Sequence, residues 1–275
     1  LIKSFDMRIS FFCTTWGNIL PFPEFCARVK EAGYDGVEMD LPDDPMLASD
    51  RVAMLRDHGL RFIGQYWQSL ESDFEANREN YRCHLEKLVA TGPEFINAQT
   101  GKDYFSIDQN MALVEVANNI TAETGVKVIH ETHRGKFLFC LPKMTEALSR
   151  MPDLSITLDA SHWCNVHESL LEDQPEAMSG AICAARHIHA RVGHPEGPQV
   201  NDPRAPEWSD ALSAHLSWWD QVVALHHQSG TALTVTPEFG PAPYMPEMPH
   251  TRAPLASQWD VNVHMMRLLR DRYQH

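Results

Sequence analysis

Eight short apolar runs, each ending in polar or ionisable residues, punctuate this chain at intervals of about 30 residues, the length of a strand–helix unit. They are RISFFCTTW (8–16), DGVEMDL (35–41), LRFIGQYW (60–67), EFINAQTG (94–101), VKVIHETH (126–133), LSITLDASH (154–162), RHIHARVG (186–193) and ALTVTPEFG (232–240). Segments of helical length and period lie between them. Phe74, Arg78, Tyr81, Leu85 and Leu88 share one side of such a segment, with Glu75, Arg82, Glu86 and Lys87 turned away. Leu255, Trp259, Val263, Met266 and Leu269 repeat the pattern near the C-terminus. AGYDG and DHGLR supply glycine turns from helix to strand. Eight strand–helix units predict an α/β fold, a single (β/α)8 TIM barrel. An open doubly wound sheet is the competing topology, but no G-x-G-x-x-G follows the first strand.

A chain of 275 residues, 43% of them hydrophobic, is long enough for one such barrel. Residues 1–6 read as an N-terminal extension and 7–275 as the TIM-barrel catalytic domain. A formal charge of −14 argues against a surface built for phosphate backbones, so no nucleic-acid partner is expected. No apolar run reaches the roughly 20 residues of a spanning helix, and no signal-peptide pattern opens the chain. Cys13, Cys26, Cys83, Cys140, Cys164 and Cys183 include no C-x-x-C pair and read as free, mostly buried thiols of a cytoplasmic protein. The oligomeric state stays open, a homo-oligomer included.

In a barrel the C-terminal strand ends converge on one mouth, where chemistry sits. Strand side chains alternate, so if Glu131 points inward, so does Ile129, while Val128 and His130 face the helices. The same parity turns Thr157 and Asp159, His187 and His189, and Thr236 and Glu238 inward. Glu131, Asp159, His189 and Glu238 then form one layer at the mouth. Three carboxylates and a histidine so close need a cation to stay ionised together. The oxygen-rich set suits one divalent metal ion, Mn²⁺ or Mg²⁺ first, with Co²⁺ or Zn²⁺ as alternatives. Each residue alone has a plainer explanation. Glu131 or Glu238 could pair with Arg134 or Arg191, Asp159 could cap the next helix, and His189 could be a satisfied core histidine.

HE at His130–Glu131, LDASHW at Leu158–Trp163, HIH at His187–His189 and PEFG at Pro237–Gly240 carry a family resemblance. The chain resembles the xylose isomerase-like TIM barrel superfamily, in particular its sugar phosphate isomerase/epimerase branch of ketose 3-epimerases, hydroxypyruvate isomerases and inosose dehydratases. The resemblance implies the same metal ligands, Glu131, Asp159, His189 and Glu238, and a substrate contact by His162. There are departures. D-xylose isomerases carry a lysine-containing strand end where this chain reads HETHRG. The endonuclease IV branch holds three zinc ions with histidines on strands three and four, where this chain offers Gln65, Asn97 and Gln99. The epimerases place an arginine six residues after the metal histidine, where this chain has Pro195; Arg191 or Arg204 are the candidates to replace it.

The implied activity is metal-dependent isomerisation or epimerisation of a small carbohydrate through a metal-stabilised enediolate, with Glu131 and Glu238 as acid and base. The alternative is a metal-dependent lyase or dehydratase acting on a keto-sugar, an inosose or a 3-keto-glycoside. An endonuclease IV-like nuclease and a non-catalytic sugar-binding barrel rank lower. His162, Arg191, His133 and Trp16 are the expected substrate contacts. Trp67, Trp163 and Trp208 also fall near mouth positions, where packing is the competing role. His187, one layer below, reads as a hydrogen-bonded histidine. The proline-rich loops 193–208 and 240–254 follow ligand strands and read as lids or interfaces. No glycine-rich phosphate cradle is visible, which favours an unphosphorylated substrate.

Overall fold

Every predicted run contains a strand, and the eight close on themselves. A computed structural model describes residues 8–274, so the proposed extension at 1–6 lies outside the described residues. The strands are β1 (Ile9–Thr14), β2 (Gly36–Met39), β3 (Arg61–Tyr66), β4 (Phe95–Ala98), β5 (Lys127–Glu131), β6 (Ile156–Leu158), β7 (Ala185–His189) and β8 (Leu233–Thr236). All pairings are parallel and in sequence order, with β8 returning to β1 through Ile9–Leu233 and Phe11–Val235. The chain is a single (β/α)8 TIM barrel.

Nine α-helices occur among the described residues: α1 (Phe22–Ala32), α2 (Pro45–Asp57), α3 (Phe74–Ala90), α4 (Ile107–Thr124), α5 (Leu141–Arg150), α6 (Ala160–His167), α7 (Pro175–Ala184), α8 (Ser209–Ser229) and α9 (Gln258–Tyr273). The extra one is α6, which leaves the end of β6 at once because Asp159 caps it, accepting from Ser161 N. Capping also starts α2 at Asp44, α3 at Asp73 and α4 at Ser106, the last as a full box with Gln109.

Helices bury one stripe against the outer faces of the strands. In α3 that stripe is Asn77, Tyr81, Leu85 and Leu88; Arg78, expected among them, is exposed, and Asn77 turns in to donate to Ser69 Oγ. In α9, Val263, Met266 and Leu269 are buried as the period requires, but Leu255 lies before the helix and is 47% exposed. Each fully buried aliphatic side chain contributes roughly 1.5–3 kcal/mol. Inside the barrel, Phe12 fills the space opposite Gly36, where an added Cβ would meet the ring at 2.4 Å. Above this plug the interior turns polar. No described helix is long and apolar enough to cross a membrane. The six cysteines are free; Cys13, Cys26, Cys140 and Cys164 are buried, while Cys183 is exposed.

Candidate metal centre

The upper layer of the barrel brings Glu131, Asp159, His189 and Glu238 together. All four are buried, and one ligand atom from each lies within 4.8 Å of the others. Glu131 and His189 end β5 and β7, whereas Asp159 and Glu238 stand just past β6 and β8. The parity argument therefore places all four on one side of their strands, as expected.

What holds them was largely invisible in the sequence. Glu38, on β2 and 0% exposed, accepts from His189 Nε2 at 3.0 Å, Thr236 Oγ1 at 2.6 Å and Asn97 Nδ2 at 2.9 Å. Glu38 holds Nε2 and so aims Nδ1 at the carboxylates of Glu131 and Glu238, where a bound cation would take the place of the Nδ1 proton. Nδ1 lies 2.9 Å from Glu238 Oε2 and 3.8 Å from Glu131 Oε1, yet it has no hydrogen-bond partner, because the Glu238 approach is too oblique. An orphaned, buried nitrogen facing carboxylate oxygens is what a divalent cation needs, so the residues present fit one. His187 sits below, as expected, with Nε2 3.1 Å from Glu38 and Nδ1 2.7 Å from Thr234 Oγ1.

Strands three and four supply amides as donors to the carboxylates. Gln65 Nε2 donates to Glu238 Oε1 at 3.0 Å, Asn97 Nδ2 to Glu131 Oε2 at 3.0 Å, and Gln99 Nε2 to Glu131 Oε1 at 3.2 Å. The plainer readings of the ligands hold at the same time. Asp159 is both a cap and an ion-pair partner, because Arg191 Nη2 bonds its Oδ2. Arg191 Nη1 stands 3.7 Å from Glu238 Oε2, and Nε donates to Ser161 Oγ at 3.1 Å. Arg204 is exposed and pairs with Asp202, away from the cluster.

Burial pushes the Glu131 carboxyl up to about 8, helped by the Glu238, Asp159 and Glu38 carboxylates and opposed by His189. Burial also raises Asp159, with Arg191 and His189 opposing. Burial would raise Glu238 too, but the charges of His189 and Arg191 outweigh it and hold the group below the usual carboxylate range. His189 is raised well above the ordinary imidazole value: burial lowers it, and Glu238, Glu38 and Glu131 overcome that. His162 and His133, tilted against each other with ring centres 3.9 Å apart, are both pushed well down, by burial first and then by neighbouring positive charge.

Glu131, His133 and His162 also lie close enough to share an ion. Here the chemistry fits poorly. Arg191 Nη2 can only donate, and it lies 2.7 Å from His162 Nε2, so the ring hydrogen sits on Nδ1, which is buried without a partner. That leaves a hydrogen-bond donor and no lone pair for a metal.

A cavity of about 370 Å³ opens above the cluster, lined by Trp16, Asp40, Gln65, Trp67, His133, Arg191, Glu238 and Tyr244 among others. Of the expected substrate contacts, Trp16, His133 and Arg191 line it, while His162 is fully buried behind them. Trp163 is a core residue whose Nε1 donates to Leu138 O, and Trp208 packs against His194 in loop 193–208. Tyr244, missed in the sequence, stands edge-on to Trp16 at 4.8 Å. Loops 193–208 and 240–254 are tied together by Gln199, which bonds both N and O of Gly240.

Residues 26–208 match the family model described as xylose isomerase-like TIM barrel. No curated protein matches the chain. Among solved structures, 3-keto-D-glucoside 4-epimerase of E. coli is similar at 16% identity, covering 96% of this chain and 100% of that one with a TM-score of 0.62. A probable 3-DHS dehydratase of petrobactin synthesis from Bacillus anthracis is also 16% identical, with 95% and 98% covered and a TM-score of 0.57. Endonuclease IV from Thermus thermophilus is 12% identical, with 96% and 98% covered and a TM-score of 0.55. At such identities the likeness is one of fold.

Proposed function

Since the chain belongs to the xylose isomerase-like TIM barrel family, we propose that it is an enzyme that moves a proton next to a carbonyl of a small carbohydrate, as a metal-dependent isomerase or epimerase. The observation that carries this reading is the buried set Glu131, Asp159, His189 and Glu238, its ligand atoms within 4.8 Å of one another and His189 Nδ1 unpartnered. Glu131, Asp159, His189 and Glu238 would hold a divalent ion, Mn²⁺ or Mg²⁺ first by their oxygen-rich donor set, which would supply Lewis acidity towards a substrate carbonyl. Glu131 and Glu238 reach the centre from strands on either side of β6 and β7, and serve as the acid and base that remove and return the proton. His162, buried behind the cavity wall, accepts from Arg191 Nη2 and serves to hold that guanidinium in place rather than to touch substrate. Trp16, Trp67 and Tyr244 offer aromatic faces to a sugar ring.

Amides at the ends of β3 and β4, spent on holding carboxylates, speak against a three-zinc nuclease. The same acid and base would also serve a lyase that expels a β-substituent, and solvent exchange separates the two. Protein purified without chelator should carry about one divalent ion per chain by mass spectrometry, lost in Glu238→Ala. With a turned-over ketose in D2O, deuterium should enter carbon with no group released. Loss of water or an alcohol would assign a lyase, and absence of metal after reconstitution would sink the reading.

A further inference from the structure

The metal centre already contains a cation of its own. Arg191 is 1% exposed, and its guanidinium is inserted among the ligands. Nη2 bonds Asp159 Oδ2, Nη1 donates to Glu238 O at 3.3 Å and stands 3.7 Å from Glu238 Oε2, and Nε donates to Ser161 Oγ. The rings of Tyr244 and Trp16 flank it, with centres 4.9 and 5.9 Å from Cζ. Both oxygens of Asp159 are engaged: Oδ1 accepts from Ser161 N and Oγ, and Oδ2 accepts from Arg191. A divalent ion that uses Asp159 must share Oδ2 with the guanidinium or displace it, and two like charges then stand in one buried space.

We propose that Arg191 is a resident counter-ion of this centre, which keeps the carboxylates in place when no metal is bound and competes with the metal for Asp159 and Glu238. The proposal rests on the four-ligand reading given above. Its consequence is an exchangeable metal: affinity is held down by a fixed positive charge, while the metal-free barrel stays assembled.

The test is calorimetric titration with Mn²⁺ alone, beside melting curves in chelator. Arg191→Met removes the charge and keeps much of the volume. It should bind Mn²⁺ at least tenfold more tightly than the unmodified protein, and melt several degrees lower in chelator but not at saturating Mn²⁺. Arg191→Lys keeps the charge and should stay within about threefold of the unmodified affinity. Arg191→Gln serves if Arg191→Met does not fold, with the same tightening expected. Equal or weaker Mn²⁺ binding by the neutral variants, with the unmodified protein binding normally, overturns the counter-ion role and leaves the metal centre standing. If neither the unmodified protein nor the neutral variants bind Mn²⁺, the four-ligand reading falls and the counter-ion with it.

Discussion

Glu38 is fully buried, and burial alone would push its proton affinity up; the facing His189 and His187 overcome this and hold it well below the ordinary carboxylate range. It is a positioning residue, since it orients His189 without belonging to the four-ligand set. Glu38→Gln keeps the shape but weakens the acceptor that holds His189 Nε2. The expected result is a 10–100-fold loss of Mn²⁺ affinity by calorimetry with the ligands intact. Its role was hidden in the sequence for a physical reason. DGVEMDL shows an unremarkable alternation, and the partners of Glu38 lie 149 and 151 residues away, meeting it only once the barrel closes. The four residues of the candidate centre were legible as neighbours because each ends an apolar run at the right parity. Arg191 was legible as a residue of the mouth, but its pairing with Asp159 depends on how α6 starts, which period alone does not reveal.

At the scale of elements, the strands were readable from short apolar runs because both faces of a barrel strand are covered; β1 and β2 are buried throughout. Helix α6 was legible only in its possible cap, Asp159, since its eight residues follow β6 without a turn. Helix α8 carries a pH-sensitive tie. His215 Nδ1 donates to Ala211 O at 2.8 Å, and Nε2 accepts from Gly193 N at 3.3 Å, joining the helix to the start of loop 193–208. Burial pushes its pKa down to about 4 from the ordinary 6.5, with a smaller contribution from Arg191. The unfolded chain therefore binds a proton that the folded chain refuses between these values. Stability from this group is full above pH 6.5 and lost as pH falls towards 4, by about 3 kcal/mol. Urea midpoints across that window should fall less steeply in His215→Phe than in the unmodified protein, and parallel slopes would refute the tie.

Across the whole molecule, closure depends on residues far apart in the chain. The β1–β8 seam is covered by α9. Gln258 Nε2 donates to Trp16 O and Phe239 O, Asn262 bonds Phe239 N and O, Arg270 pairs with Asp35, and Gln274 Nε2 donates to Ile9 O. A chain ending before Gln258 should lose its cooperative melt altogether, because the seam and the end of β8, which carries Glu238, are left open. A partial melt that kept its sharpness would show the seam to be self-sufficient. The eightfold repeat made this architecture legible, whereas the mouth loops depended on particulars such as Gln199 meeting Gly240. The placement of tryptophan has one more outcome. Of the seven, Trp16 and Trp67 line the cavity, while Trp163, Trp218 and Trp219 are buried away from it. Trp67 is 44% exposed, so a molecule settling over it would strip water from the indole and shift its emission to shorter wavelength. The barrel thus carries its own optical gauge of occupancy, and unlabelled protein in a fluorimeter can rank candidate sugars before any product is detected.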